Sequence, residues 1–276
     1  MIDTHEIMKI GLNLAGWKVV PADSGIHVEG TKIKKILLTI DVTVADLIIA
    51  KDIGCDAVVT HHPIGSTALN FHRVFDRHVE YMVQKGIPRK LALAAVKKLK
   101  ERSRVKSHGL IYQQLVDEAR LLQLSLVNIH QPCDEYMRKT IYRNIILGKT
   151  EYVSDIIASV NKIPEFKNAI TKIKVCQGRP HNKAGRWVLA IAAGTNGGFH
   201  IAKEYFRHNI KTVIYLHIDY NDLMKIKEQN LLGNLVILGH LAGDSIGLNA
   251  LSDKLEEKGI QVVKMGLLPR HTGSKA

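Results

Sequence analysis

Apolar positions along the chain follow two rhythms. Short, nearly unbroken apolar runs at 35–40, 57–60, 125–129, 187–192, 212–216 and 234–238 are rich in Val, Ile and Leu and read as strands. Between and before them apolar residues recur at helical spacing, which predicts helices over 3–16, 44–53, 199–207 and 221–229, and a last one in SIGLNALSDKLEEKG. Residues 66–122 form a helix-rich insertion between the second and third strands, and 138–185 is a polar, mixed stretch. Strands alternating with helices predict an α/β protein, whose loops at the strand ends are available for chemistry.

The order of elements occurs twice. GCDAVVTHH (54–62) lies without gaps on NIKTVIYLH (209–217), and IAK recurs at 49–51 and 201–203. A shared tripeptide is within reach of chance. The paired endings are less so: SLVNIHQPCD closes on His130-x-x-x-Asp134 and LVILGHLAGD on His240-x-x-x-Asp244, each directly after an apolar run. The expectation is a duplicated α/β fold, with two similar lobes of mixed sheets flanked by helices, spanning 1–137 and 138–276 and forming one structural unit.

Candidate chemistry gathers at three strand ends. AVVTHHPI stops on His61 and His62 before Pro63, and neighbouring residues of a strand point to opposite faces. Two adjacent imidazoles can therefore serve one site only where the strand ends and turns. His130 with Asp134 and His240 with Asp244 end two further strands; packing about a pseudo-twofold would bring all six groups to one cleft between the lobes. Imidazole and carboxylate without thiolate suit divalent iron, manganese, zinc or similar ions. Six donors exceed the needs of one open site, so two ions are expected, held about 3.5–4 Å apart by a bridging carboxylate. Plainer readings stand beside this one. The histidines can be a polar strand ending, and Asp134 and Asp244 can be helix N-caps. His72 and His78 lie in a charged helical segment and read as solvent-facing; His27 and His217 show no convergence with these groups.

Composition narrows the class. With 276 residues, 46% of them hydrophobic, the chain can bury a sizeable core, and it has no apolar stretch of membrane-spanning length and no signal-peptide pattern at MIDTHEIMKIGLNLAGW. Three scattered cysteines, Cys55, Cys133 and Cys176, exclude a disulfide framework and fit a reducing compartment, so a cytoplasmic protein without membrane association is expected. The net charge of +13 is concentrated at 85–106, where Leu91, Ala94, Ala95 and Leu99 suggest the inner side of an amphipathic helix. Its basic outer face is either a solvated surface or a contact for nucleic acid or an acidic small molecule. Gly-rich AAGTNGG (192–198) lacks the dinucleotide-binding spacing and is either a tight turn or an anion site.

Taken together, DVT (41–43), DAVVTHHPI, HQPCD, AAGTNGG and GHLAGD resemble the NIF-three-like dinuclear-metal family, also called type 2 GTP cyclohydrolase I, over roughly 33–65, 124–136 and 186–265. The resemblance implies a duplicated fold, a two-metal cleft, and ring-like homo-oligomers, commonly hexamers. It places His61, His62, Asp134, His240 and Asp244 on the family's metal ligands and His130 on a histidine beside them, suited to orienting a ligand or moving a proton. Three departures accompany it. Asp244 stands where the family has glutamate; H-T-N-L-D is replaced by H-Q-P-C-D, which brings Cys133 near the metals; and the 69-residue interval from His61 to His130 holds the basic helix. The implied function is a metal-dependent hydrolase acting on a nucleotide-like or other anionic small molecule. The alternative is a non-enzymatic metal-binding or regulatory protein that contacts nucleic acid through 85–106 or a protein partner.

Overall fold

Ile36-Leu37-Leu38 is apolar on both sides of a strand and is stable only in a sheet covered on both faces. That is its environment in the computed structural model, which describes residues 1–192 and 195–270. The chain runs α1 (Thr4–Ala15), β1 (Gly25–Val28), β2 (Lys35–Thr39), α2 (Val44–Asp52), β3 (Ala57–Thr60), α3 (Gly65–Asn70), α4 (Asp76–Gln84), α5 (Arg89–His108), α6 (Gln114–Leu121), β4 (Ser125–Asn128) and α7 (Gln131–Leu147). It continues through α8 (Val153–Val160), α9 (Pro164–Asn168), β5 (Lys174–Gln177), β6 (Trp187–Leu189), β7 (Ile191–Ala192), β8 (Thr195–Asn196), α10 (Gly198–Arg207), β9 (Thr212–Tyr215), α11 (Tyr220–Glu228), β10 (Asn234–Ile237), α12 (His240–Glu256) and β11 (Gln261–Met265).

Two compact units result. The first comprises Met1–Val74, Ser103–Tyr136 and Asp244–Leu267, and the second Phe75–Arg102, Met137–Gly243 and Leu268–Ala276. In the first, the sheet order is β1-β4-β3-β2-β11, parallel except for β1 on β4. Strand alternation divides its core. Ile36, Leu38, Ala57, Val59 and Val127 face Ile7 and Met8 of α1 and Leu248, Leu251 and Leu255 of α12. Leu37, Val58 and Leu126 face Leu47 and Ala50 of α2 and Ala119 of α6. Each fully buried Leu, Ile or Val contributes about 1.5–3 kcal/mol, so register is strongly specified here.

In the second unit the sheet order is β5-β10-β9-β6, parallel except for β5 on β10. With β5, β6, β9 and β10 written in place of β1, β2, β3 and β4, the two orders coincide over four strands, and β11 extends the first sheet by one. The duplicated α/β architecture expected from sequence is present, with two mixed sheets flanked by helices.

Some expectations are corrected. The strand at 187–192 ends at Leu189; Ile191 and Ala192 turn away to pair with Asn196 and Thr195. Strands β1, β5 and β11 escaped notice because each lies at a sheet edge, half-exposed, without a continuous apolar run. The polar stretch 138–185 holds most of α7, all of α8 and α9, and β5. In α5 the buried side is Ala92, Ala95 and Val96, whereas Leu91 and Ala94 are exposed; the inward stripe is rotated from the one expected. His78 is fully buried, its ring stacked on Phe75, rather than facing solvent. Of AAGTNGG, residues 193 and 194 lie outside the described residues. No helix among the described residues is long and apolar enough to cross a membrane.

Candidate metal centre

The end of β3 resolves how adjacent histidines share a side. The backbone N–H groups of His61 and His62 both donate to the Ile40 carbonyl, at 3.1 and 3.0 Å, and the Thr60 hydroxyl donates to the same oxygen at 2.8 Å. Converging three donors on one carbonyl ends the pleat, and the two rings come to lie 5.3 Å apart with planes 34° from parallel. The His130 ring, just after β4, stands 4.8 Å from His61 and 5.8 Å from His62.

Each of these rings is held through Nδ1. His61 Nδ1 donates to the Ile129 carbonyl at 3.0 Å, His62 Nδ1 to the Asp41 carboxylate at 2.6 Å, and His130 Nδ1 to the Asp23 carboxylate at 2.5 Å. Carbonyl and carboxylate oxygens only accept, so each Nδ1 carries a hydrogen and a neutral ring presents its Nε2 lone pair. Outward pinning of this kind is how proteins orient metal-ligating histidines.

Two buried carboxylates meet those lone pairs. His61 Nε2 lies 3.2 Å from Asp134 Oδ1 and 3.9 Å from Asp244 Oδ1; His62 Nε2 lies 3.4 Å from Asp244 Oδ2, and His130 Nε2 3.4 Å from Asp134 Oδ2. Neither oxygen of Asp134, nor His61 Nε2, completes a well-formed hydrogen bond among the described residues, although all are buried. Leaving such groups without partners is costly. A cation removes the conflict: ligands about 2.1 Å from one ion stand about 3.0–3.4 Å apart, close to these separations. His61, His62 and His130 form one group, and His61, Asp134 and Asp244 another, whose ligand atoms lie within 4.8 Å of one another. These nitrogen and oxygen donors fit the divalent ions expected from sequence.

Electrostatics agree with the geometry. Burial opposes a charged His61, but the charge and hydrogen-bonding of Asp134, with Cys133 and Asp244, more than offset it, and the imidazole pKa is held well above its ordinary value. Burial pushes the Cys133 thiol up, with His61 acting against it. The expectation that Cys133 lies near the site holds, as a buried thiol against His61.

The N-cap readings are overturned. Helix α7 starts at Gln131, so Asp134 sits within its first turn, its N–H bonded to the His130 carbonyl at 3.1 Å. Helix α12 starts at His240, which puts Asp244 one turn inside it. Both carboxylates are thereby carried by helices rather than spent at their ends. Gly247, one position short of a full turn further on, lets α12 approach: a Cβ there would stand 2.5 Å from the Cys133 carbonyl oxygen.

Five of the six candidate groups, His61, His62, His130, Asp134 and Asp244, thus meet within the first unit, while His240 opens α12 at the end of the second unit's share of the chain. Asp23 and Asp41 escaped the sequence reading. Asp41 lay inside the quoted DVT motif, but only the fold shows that either carboxylate meets a histidine.

The family model for Duf34/NIF3 (NGG1p interacting factor 3) matches residues 20–268. Among solved structures, a NIF3 superfamily protein from Sphaerobacter thermophilus is similar at 37% identity and a TM-score of 0.93, over 97% of this chain and 99% of that one. Reduced HcgD from Methanocaldococcus jannaschii (12% identity, TM-score 0.57, 95% and 97% of the two chains) shares the fold. So does the hypothetical protein SA1388 from Staphylococcus aureus (12% identity, TM-score 0.56, 100% and 99%). Among curated proteins no match was found. By the family model and the Sphaerobacter likeness together, this chain belongs to the Duf34/NIF3 family.

Proposed function

We propose that the protein holds two divalent ions and is a metal-dependent hydrolase acting on a nucleotide-like or other anionic small molecule. The observation that carries this reading is the convergence of three outward-pinned imidazoles on two buried carboxylates, with neither carboxylate oxygen of Asp134 completing a well-formed hydrogen bond among the described residues. His61, His62, Asp134 and Asp244 are the ligands, joined by His240 from the start of α12. When bound, such ions acidify a water and polarise a phosphoryl or carbonyl oxygen. His130 presents Nε2 beside Asp134 and takes the proton that the attacking water gives up. The net charge of +13 favours encounter with anions. GTP is the first substrate to try, and a ring-like homo-oligomer, a hexamer, is the assembly to look for by light scattering. Turnover of GTP by metal-loaded protein that disappears in His61→Ala supports the reading; its absence in the wild type, with iron, manganese and zinc each tried, overturns it.

A non-enzymatic metal-binding protein that contacts nucleic acid is favoured by one observation. Arg89, Lys90, Lys98, Arg104 and Lys106 of α5 make no ion pair among the described residues, whereas Lys100 and Arg102 are engaged by Asp76 and Asp219. Salt-sensitive DNA or RNA binding that survives His61→Ala, without turnover, selects this reading.

A further inference from the structure

Asp23 lies outside every motif in the sequence, yet its side chain is fully buried and, among the described residues, only His130 Nδ1 donates to it, at 2.5 Å. The segment that carries it is braced at two points. The Asn128 amide donates to the Asp23 carbonyl at 2.7 Å, and the His130 backbone N–H donates to Ser24 Oγ at 2.9 Å. Asn128 is fixed in turn: its Oδ1 accepts from Thr67 Oγ1 at 2.9 Å and lies 2.9 Å from His27 Nε2. Gly25 permits the close approach, since a Cβ there would stand 2.8 Å from Thr67 Cγ2. The sequence alone left His27 with no role.

A brace of four side chains around one buried carboxylate is more than a strand ending needs. It fixes the direction of Asp23, and Asp23 fixes both the rotation and the tautomer of His130. Asp41 holds His62 in the same manner, but its side chain is largely exposed and water can take its place. Asp23, by contrast, is shielded from bulk solvent.

We propose that Asp23 is a positioning residue: through the brace of Ser24, His27, Thr67 and Asn128 it locks His130 as the Nδ1–H tautomer, with the Nε2 lone pair aimed at the reaction site. This rests on the proton-accepting role given to His130 above. Asp23 itself neither touches substrate nor gives up a proton. An asparagine at this position keeps the shape but offers an amide donor as well as an acceptor, which permits the ring to flip or to change tautomer.

The test uses full-length, zinc-loaded protein, wild type and Asp23→Asn, with elemental analysis confirming equal metal content. Long-range nitrogen–proton NMR correlations of ring-labelled histidine read the His130 tautomer. The wild type is expected to show Nδ1–H, and the variant the Nε2–H form or a mixture. With GTP as the probe, kcat is expected to fall by about 100-fold or more with KM little changed. An Nε2–H tautomer in the wild type overturns the assignment without recourse to any variant, so a misfolded Asp23→Asn does not shield it. An unchanged tautomer in the variant, or a changed tautomer with unchanged kcat, overturns it as well. If the wild type turns over no GTP with any of the three metals, the hydrolase reading fails, and the tautomer comparison still decides the role of Asp23.

Discussion

The two sheets are built to one plan and end in different chemistry. In the first, β3 runs out into His61 and His62, and β4 into His130 with Asp134 four residues on; in the second, β9 runs out into Leu216 and His217, and β10 into His240 with Asp244. The equivalent ring contacts persist, His62 with His130 at 5.8 Å and His217 with His240 at 4.4 Å. What differs is one pair. Where the first half sets His61 against Cys133, the second sets a buried Leu216 against Gly243, where a Cβ would stand 2.4 Å from Leu216 Cδ1. Hydrocarbon packed onto a bare helix backbone fills the space that imidazole and thiol fill in the other half. The topology is set by apolar runs that both halves share, and the chemistry by a few residues past the strand ends, which can change without disturbing the sheet.

Converting one half toward the other is the severest test. His61→Leu keeps the bulk and removes a ring that faces both Asp134 and Asp244. Bound metal, measured by elemental analysis of gently purified protein, is expected to fall by at least about tenfold, as losses around ligand shells do. Chelator should lower the Tm of the wild type and leave that of the variant unmoved, because only the wild type draws stability from the ion. Metal content equal to wild type would show that the first half does not owe its chemistry to His61.

Gly247→Ala strikes the packing that carries Asp244. The new methyl would meet the backbone of Cys133, at 2.5 Å from its oxygen and 2.8 Å from its carbonyl carbon, rather than a side chain that could swing aside. Overpacking of this sort costs about 1–3 kcal/mol, read as a lower urea midpoint at unchanged slope. Gly243→Ala meets only the methyl end of Leu216 and is expected to cost less, and Leu216→Ala should relieve it. Equal costs at the two glycines would erase the distinction drawn between the halves.

Acidity sharpens the contrast further, since it is the first half's His61 that stands between two buried carboxylates. The His61 pKa is raised in the metal-free protein, so its contribution to stability is complete below the ordinary histidine range and is lost as pH climbs through the raised value. Metal affinity runs the other way. The proton must leave before Nε2 can ligate, and below the raised value affinity should fall by about tenfold per pH unit for one competing proton. Competition against a chromophoric chelator at several pH values measures it; a flat profile would mean that His61 is already neutral when the ion arrives.

Most of the fold, and much of this site, was legible in the chain for physical reasons. Central strands are apolar on both faces and announce themselves, so β2, β3, β4, β9 and β10 could be read closely, together with the repeat they form. Edge strands β1, β5 and β11 are half-exposed and could not. Histidines grouped after such runs pointed to His61, His62, His130 and Asp134, because a strand end is a place where neighbouring side chains can share a side. The supports were hidden. Asp23 and His130 are 107 positions apart and meet only because β1 lies antiparallel on β4, a pairing that no local pattern encodes. His78 misled for the opposite reason: charged neighbours on its helix hid an inward-facing ring.

The smallest effect expected is at Asp41. Its carboxylate holds His62 Nδ1 at 2.6 Å, but the side chain is 79% exposed, while Asp23 is fully buried. An exposed charge is screened, and a water can accept the same Nδ1–H when it is removed. Asp41→Ala should therefore leave the His62 tautomer in place and weaken metal binding by no more than about tenfold, the lower end of what outer partners of ligating histidines contribute. Rising salt should narrow the difference between Asp41→Ala and wild type and leave that between Asp23→Asn and wild type unaltered. If metal titrations at low and high ionic strength give the same ratio for both carboxylates, burial is not what separates the two histidine supports.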